Sequence, residues 1–220
     1  MTRRIVLLGP PGAGKGTQAA RVSTDFAIPH ISTGDLFRVE IAAGSELGMK
    51  AKGFMDAGDL VPDEIVLDML SARISEPDVA SGFLLDGFPR TAAQAEALES
   101  RFEGGAIDLA VLLEVEEEEL VTRLSGRWVC SNPKCSGVFH VVYSPPIVEG
   151  ICDACGAALV QRNDDKPEAI RRRLEEYASK TSAVIDFYEA RGELVRVDSS
   201  GSVEDVAGRI ESAIDNAIPA

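Results

Sequence analysis

Short apolar runs recur along this chain, and stretches with helical periodicity separate them. The runs lie at 5–8, 28–31, 82–85, 109–115 and 194–197. Short, nearly continuous apolar runs of this kind are typical of parallel strands buried on both faces. Helices between such strands form right-handed crossovers. The pattern therefore predicts an α/β fold with a doubly wound parallel sheet.

The first apolar run leads directly into a glycine-rich loop. Residues 9–17 read Gly-Pro-Pro-Gly-Ala-Gly-Lys-Gly-Thr, and a helix is predicted to begin near Lys15. Such a loop directs backbone N–H groups and a helix N-terminus at one spot, which favours polyphosphate. The spacing fits the phosphate-loop pattern, although Gly16 stands where Ser or Thr is usual. Lys15 adds a positive charge there, and Thr17 offers a hydroxyl to Mg²⁺ or phosphate. A glycine turn without a ligand is the less favoured interpretation.

Two segments interrupt the alternation of strands and helices. The first, 32–61, contains two amphipathic helical stretches, and the second, 126–165, is rich in Gly, Pro and Cys. We interpret both as small insertions over the open end of the sheet. The core then consists of 1–31, 62–125 and 166–220.

Local signals predict where two helices begin or end. The acidic run 116–119 suits the first turn of a helix. A longer helix is predicted over 167–190, with Asp165 and Glu168 spaced as a capping box and Gly192 as its stop.

All four cysteines lie close together in the second insertion. Cys130, Cys135, Cys152 and Cys155 have the spacing C-x4-C-x16-C-x2-C. Clustered thiols in an intracellular chain favour a metal over disulfides, and four thiolates form a closed, structural Zn²⁺ site. Free or redox-labile thiols are the alternative, and an iron–sulfur cluster is less favoured still. Because four thiolates saturate the metal, we expect His140 to pack or to form hydrogen bonds.

Charge and hydropathy exclude several classes of function. The chain has 220 residues and a formal net charge of −14. Such a surface repels nucleic acid and acidic membranes, so neither is an expected partner, and an anionic ligand needs a local cluster of cations. The first apolar run is too short for a signal peptide, and no stretch approaches the roughly 18 apolar residues of a membrane span. The sequence therefore indicates a cytoplasmic globular protein.

Five motifs together resemble the adenylate kinases of the longer, bacterial type. They are the phosphate loop, Ile31-Ser32-Thr33-Gly34-Asp35, the run Leu-Asp-Gly-Phe-Pro-Arg-Thr at 85–91, Gly126-Arg127, and Arg162-Asn163-Asp164-Asp165. The resemblance covers almost the whole chain. The ending Gly16-Thr17 of the phosphate loop is that family's own form.

The resemblance implies reversible phosphoryl transfer from Mg-ATP to AMP, giving two ADP. It implies a single domain with a five-stranded parallel core, in which 32–61 binds AMP and 126–165 is a mobile lid. The cysteines resemble the zinc form of that lid, although its first pair is usually C-x2-C. The resemblance also implies a monomer whose partners are the small molecules ATP, AMP and ADP, with Mg²⁺ bound to ATP and a structural Zn²⁺.

Individual residues receive roles from the same resemblance. The catalytic set, in which Asp86 lies near the waters around magnesium, consists of Lys15, Asp86, Arg90, Arg127, Arg162 and Arg173. The ATP-binding set consists of Gly12, Ala13, Gly14, Lys15, Gly16, Thr17, Arg123, Arg127, Val138, Phe139 and Gly201. The AMP-binding set consists of Thr33, Arg38, Asp59, Leu60, Val61, Gly87, Phe88, Pro89, Arg90, Gln94, Arg162 and Arg173. The metal set consists of Cys130, Cys135, Cys152 and Cys155.

Two further expectations concern the arginines. Arg123 and Arg127 are four residues apart, so on a helix they would share one face. Of the three consecutive arginines at 171–173, only Arg173 is assigned to the site.

Three alternative functions stay open at this level. The first is a kinase for UMP, CMP or dCMP, although Thr33 and Gln94 favour adenine within the family. The second is a phosphate-loop ATPase or switch whose cysteine module binds a partner or nucleic acid, which the acidic charge disfavours. The third is an inactive homologue, which the full set of cationic residues disfavours.

Overall fold

The computed structural model describes residues 2–100, 107–133, 135 and 137–219. Its strands are β1 Arg3–Leu8, β2 His30–Ser32, β3 Gly82–Asp86, β4 Leu109–Glu114, β5 Arg127–Cys130, β6 Val138–His140, β7 Leu159–Val160 and β8 Leu194–Asp198. Its α-helices are α1 Lys15–Asp25, α2 Thr33–Ala43, α3 Glu46–Ala57, α4 Asp63–Ile74, α5 Ala92–Ser100, α6 Glu117–Ser125, α7 Pro167–Glu176, α8 Ser182–Ala190 and α9 Val203–Ala217.

A five-stranded parallel sheet with the order β2-β3-β1-β4-β8 forms the core. Each of the five apolar runs contributes one of these strands, which confirms the predicted doubly wound α/β fold. Because all five strands are parallel, their carboxyl ends share one edge of the sheet, where ligands bind in folds of this kind.

Helices cover both faces of this sheet. Along β1 the side chains alternate, so that Val6 and Leu8 join one buried cluster while Ile5 and Leu7 join the other. The first cluster includes buried residues of α2, α4, α5 and α8, and the second includes those of α1, α6 and α9. Burial on both faces explains why the strands read as continuous apolar runs.

The second insertion carries a small antiparallel sheet with the order β6-β5-β7. His140 lies at the end of β6 and forms hydrogen bonds, as expected. Its Nδ1 accepts from the backbone N–H groups of Val142 and Tyr143, so Nε2 carries the proton and donates to the Thr122 carbonyl oxygen at 3.2 Å. This ring therefore connects the small sheet to α6.

The predicted bounds of the helical stretch 167–190 are confirmed, because α7 begins at Pro167 and α8 ends at Ala190, but two details of the prediction are wrong. A π-helical turn, Tyr177–Thr181, separates α7 from α8. In addition, Lys166 and not Asp165 is the N-cap of α7, and among the described residues its N-terminus has no side-chain cap. The Asp165 carboxylate instead forms a bidentate ion pair with the Arg127 guanidinium, in which both partners are charged and two parallel hydrogen bonds form.

The acidic run does begin a helix, since Glu117, Glu118 and Glu119 occupy the first turn of α6. Within the described ranges, none of the helices combines the length and the apolar character needed to cross a bilayer.

Candidate active site

The phosphate loop connects β1 to α1 at the carboxyl edge of the sheet. Gly9 has φ +139°, and a Cβ there would lie 2.8 Å from the Leu113 carbonyl oxygen, so the loop requires glycine at this position. Lys15 Nζ donates to the carbonyl oxygens of Gly9 at 2.6 Å and Pro10 at 2.9 Å. No side chain of the described residues caps α1. The first-turn N–H groups of this helix are therefore left for an anion.

The environment of Lys15 favours a bound anion. The pKa of Lys15 is lowered to about 8, chiefly by burial, with the positive charges of Arg90, Arg173 and Arg127 acting in the same direction and Asp86 opposing them. A phosphate bound in the loop would raise the pKa of Lys15, because an adjacent negative charge favours the ammonium form.

Asp86 ends β3 beside the phosphate loop. Burial alone would raise its pKa, but His30 and the Lys15 ammonium hold the pKa of this carboxyl below its usual value. His30 Nε2 lies 3.6 Å from Asp86 Oδ2. The carboxylate also borders Gly16 at the start of α1. An ionised carboxylate beside the first turn of α1 is the kind of oxygen donor that hydrated Mg²⁺ accepts.

The Asp165 carboxylate forms ion pairs with two of the predicted phosphate-binding arginines. Its side chain is fully buried and accepts Arg127 Nε at 2.8 Å and Nη2 at 2.5 Å, together with Arg173 Nη1 at 3.1 Å. Arg173 also donates to the Asp164 carbonyl oxygen at 3.0 Å. Burial alone would lower the pKa of Arg127, but the contact with Asp165 raises it above its usual value. One carboxylate thus orients both guanidinium groups.

A second carboxylate, Asp35, lies beside two further arginines of the predicted sets, Arg38 and Arg162. Arg38 Nη2 lies 2.6 Å and Arg162 Nη2 lies 3.7 Å from Asp35 Oδ1. Burial and then the charge of Arg38 lower the pKa of Arg162 to about 10. Burial and then the charge of Arg173 lower the pKa of Arg90 to about 10. The second contribution to each shift arises because positive charges crowd one region, which is suited to an anionic ligand.

Arg123 occupies a different place from Arg127. The α6 helix ends at Ser125 and Arg127 lies in β5, so the expectation of a shared helical face is wrong. Arg123 Nη2 instead donates to Glu119 at 2.7 Å and to the Ser199 carbonyl oxygen at 3.0 Å. The helix ends two residues before Arg127, because the chain turns there into the small sheet.

The AMP-side residues form one connected group. Thr33 Oγ1 donates to the Gly87 carbonyl oxygen at 2.9 Å, and Arg90 Nε donates to the same oxygen at 2.7 Å. The Arg90 backbone N–H donates to Gln94 Oε1 at 2.7 Å. Phe88 is buried beside them, followed by a cis bond to Pro89.

The other assigned residues lie on three further segments. Asp59, Leu60 and Val61 follow α3, where Val61 is buried and Asp59 accepts Arg172 Nε at 2.5 Å. Val138 and Phe139 lie in β6. Gly201 precedes α9 with φ +96°. In the arginine run, Arg173 reaches the buried carboxylates, whereas Arg172 contacts Asp59 and Arg171 donates to the Pro167 carbonyl oxygen.

The four cysteine sulfur atoms converge in the second insertion. All of them lie within 4.8 Å of one another, with Cys130 and Cys155 3.4 Å apart and Cys135 and Cys152 3.7 Å apart. These separations are too long for disulfides. Tetrahedral Zn²⁺ with bonds of about 2.3 Å places its sulfurs about 3.8 Å apart. The donor set and its spacing therefore fit a structural zinc ion.

A family comparison agrees with this geometry. The family model described as "Adenylate kinase" matches residues 7–193. The chain belongs to the adenylate kinase family. It is 52% identical over 213 residues to an adenylate kinase of Streptomyces griseus, which covers 96% of this chain and 97% of that protein. An adenylate kinase of Carboxydothermus hydrogenoformans is 49% identical over 213 residues, covering 96% and 99%. One of Lachnospira eligens is 48% identical over 209 residues, covering 94% and 97%.

Sequence reasoning missed several residues that hold this adenylate kinase site together. The sequence pattern predicts a helix cap at Asp165 and gives no role to Asp63, Thr181 or Ser199. The buried Ser199 donates through Oγ to the Ala13 carbonyl oxygen at 2.8 Å, and Thr181 Oγ1 donates to the Arg90 carbonyl oxygen at 3.0 Å. Ser199 directly follows β8, so its place at the carboxyl edge was the one available signal.

Proposed function

We propose that this chain catalyses reversible phosphoryl transfer from Mg-ATP to AMP, giving two ADP. Its substrates are the free nucleotides ATP, AMP and ADP, and it acts as a monomer. The observation that carries the proposal is the convergence, in a member of the adenylate kinase family, of Lys15 and four buried or half-buried arginines beside one phosphate loop.

Phosphoryl transfer needs in-line positioning and neutralisation of the charge on the transferring oxygens. Positioning alone can account for roughly 7–11 kcal/mol of the barrier. The α1 N-terminus and Lys15 would hold the ATP phosphates, and Asp86 with Thr17 would face the waters of the Mg²⁺ that accompanies ATP. Arg90, Arg127, Arg162 and Arg173 would neutralise the transferring group.

The AMP phosphate and base would lie on the opposite side of this cluster. Arg38 and Arg90 would bind the phosphate, while Thr33, Gln94 and the segment 59–61 would contact the base. Arg123, Gly201, Val138 and Phe139 would border the ATP nucleoside. These roles rest on the positions that match the family's motifs and on the contacts described above.

The insertions 32–61 and 126–165 would close over the bound nucleotides. Closure matters because water competes with AMP as the acceptor of the phosphoryl group. Zinc, when bound to Cys130, Cys135, Cys152 and Cys155, supplies a rigid crosslink within the second insertion. The insertion would then move as one body.

An acceptor panel tests the proposal directly. Purified protein with Mg-ATP should form ADP only when AMP is present, and AMP should exceed UMP, CMP and dCMP as acceptor. A mimic joining two adenosines through five phosphates should inhibit strongly. Turnover of UMP or CMP above AMP would indicate the related nucleotide kinase. ATP consumption independent of any acceptor would indicate an ATPase, and failure to bind the mimic would overturn the two-nucleotide site.

The lowered pKa of Lys15 predicts a specific pH dependence. Its pKa of about 8 lies below the usual lysine value of 10.5, so the free site loses its ammonium as pH rises through about 8. Because kcat/KM reports the free enzyme, kcat/KM for Mg-ATP is expected to fall about tenfold per pH unit above this point. Bound phosphates favour the ammonium, so kcat should persist to higher pH. A kcat/KM that stays flat to pH 10 would contradict the assignment.

Removing the Asp165 charge is expected to affect both stability and turnover. Asp165→Asn leaves Arg127 and Arg173 buried with a weaker partner, and breaking such a pair typically costs about 3–5 kcal/mol of unfolding free energy. We expect kcat to fall about tenfold or more, because both guanidinium groups lose their orientation. Urea unfolding and steady-state kinetics measure the two effects. Glu168→Gln, an exposed change in the first turn of α7, is the matched control.

A further inference from the structure

Gln94 lies at the centre of a polar network on the AMP side, and both ends of its amide are used. The side chain is 2% exposed. Its Oε1 accepts the Arg90 backbone N–H at 2.7 Å, and its Nε2 donates to Asp63 Oδ1 at 2.6 Å. Asp63 Oδ2 also accepts the Thr91 hydroxyl at 3.3 Å. Asp63 begins α4, outside the segments to which sequence motifs assigned AMP contacts.

These two contacts determine which way the amide faces. A backbone N–H can only donate, so its partner must be the amide oxygen of Gln94. A carboxylate can only accept, so its partner must be the amide nitrogen. A rotated amide would place two donors together at Arg90 and two acceptors together at Asp63. Both clashes would be buried, where unsatisfied polar groups cost most.

An amide fixed in this way can distinguish purines at position 6. After its two internal bonds, Gln94 retains one lone pair on Oε1 and one N–H on Nε2. Adenine offers a 6-amino donor flanked by ring nitrogens that accept, which complements an oxygen beside an N–H. A 6-oxo purine places an acceptor where the amide oxygen already lies. The fixed amide therefore suits adenine and opposes hypoxanthine or guanine.

We infer that Asp63 is a specificity-determining residue, which makes the acceptor site prefer a 6-amino purine by fixing the Gln94 amide. Asp63 acts through Gln94 and is a positioning residue, not a contact of the substrate. This inference rests on the proposed function, because it presumes that the acceptor base lies against Gln94.

The test compares AMP with IMP, whose base carries O6 and N1–H in place of the 6-amino group and N1. Asp63→Asn keeps the size of the side chain but can donate or accept toward Gln94. The kcat/KM ratio of IMP to AMP is expected to rise about tenfold, since one of the two constraints on the amide is lost. The change should appear mainly in KM for the acceptor, and KM for Mg-ATP should stay unchanged.

Two controls separate this role from a structural one. Glu64→Gln removes a carboxylate from the same helical turn at an exposed position and should leave the ratio unchanged. In a Gln94→Met background, where no amide can be oriented, Asp63→Asn should have no further effect on the ratio. Asp63→Ser repeats the measurement should the Asn variant fail to fold.

The outcomes are distinguishable. A wild-type protein that does not phosphorylate AMP would overturn the proposed function and this inference with it. Normal AMP turnover with an unchanged IMP-to-AMP ratio in Asp63→Asn would overturn the inference alone. An equal rise in the ratio with and without the Gln94 amide would also overturn it, because Asp63 would then act by another route.

Discussion

Replacing Lys15 with Met is expected to lower kcat about a thousandfold while the protein stays folded. The estimate follows from the loss of one preorganised donor at the transferring phosphates. In the structure the Lys15 ammonium is the cation held within the phosphate loop itself, by the carbonyl oxygens of Gly9 and Pro10. Methionine fills a similar volume but offers neither charge nor donor.

The fold should tolerate this substitution because Lys15 is not part of the apolar core. The two buried clusters on either face of the sheet do not include it. Removing a partly buried charge also relieves its desolvation and its repulsion from Arg90 and Arg173, which offsets the lost hydrogen bonds.

Steady-state kinetics and calorimetry together test this expectation. Lys50→Met is the matched control, because Lys50 is exposed and forms an i,i+4 ion pair with Glu46 on the surface of α3. It should retain full turnover and a similar melting temperature. Ordinary activity in Lys15→Met would remove Lys15 from the catalytic set, and loss of the cooperative melting transition would show a structural role instead.

The fold could be predicted from the sequence because its signal is local. Strands buried on both faces need continuous apolar runs, so the runs 5–8 and 109–113 can be recognised as strands from the sequence alone. The phosphate loop is also local, since Gly9 and Lys15 are fixed by spacing. Features that depend on competition between distant groups could not be read in this way. The capping box expected at Asp165 failed because Arg127, 38 residues away in sequence, takes its carboxylate.

The candidate site also contains some features with a local sequence signal and others that depend on distant groups. Motif positions predict which cations belong to it, but sequence spacing does not predict the carboxylates that orient them. Arg123 and Arg127 look equivalent by helical spacing, but α6 ends between them at Ser125. Arg123 therefore donates to the Ser199 carbonyl oxygen, whereas Arg127 donates to the Asp165 carboxylate. Thr181 reaches the Arg90 carbonyl oxygen from a π-helical turn for which the periodicity gave no signal.

The largest expected effect on stability is the loss of the metal site. Cys152→Ser is expected to remove zinc and to lower the melting temperature by about 10 °C, with turnover at 25 °C changed far less. Isolated zinc fingers gain roughly 10–16 kcal/mol from their metal. Even about 4 kcal/mol of this corresponds to about 10 °C for a chain of this size. The second insertion has little else to stabilise it, since Val142 and Ile147 are exposed there and β7 has only two residues.

We expect stability to fall without a matching loss of turnover, because the cysteines do not share hydrogen bonds with the described arginine cluster. Metal analysis, melting curves and low-temperature kinetics are measured on three proteins: wild type, Cys152→Ser, and Val142→Ser as an exposed control in the same insertion. A strong chelator should lower the wild-type melting temperature toward that of Cys152→Ser and leave Cys152→Ser itself unchanged. If chelator shifts both proteins equally, it acts elsewhere. If it shifts neither while wild type contains no metal, the four thiols do not form a structural metal site, and the stability of the insertion must come from its small sheet and from the His140 contact with α6.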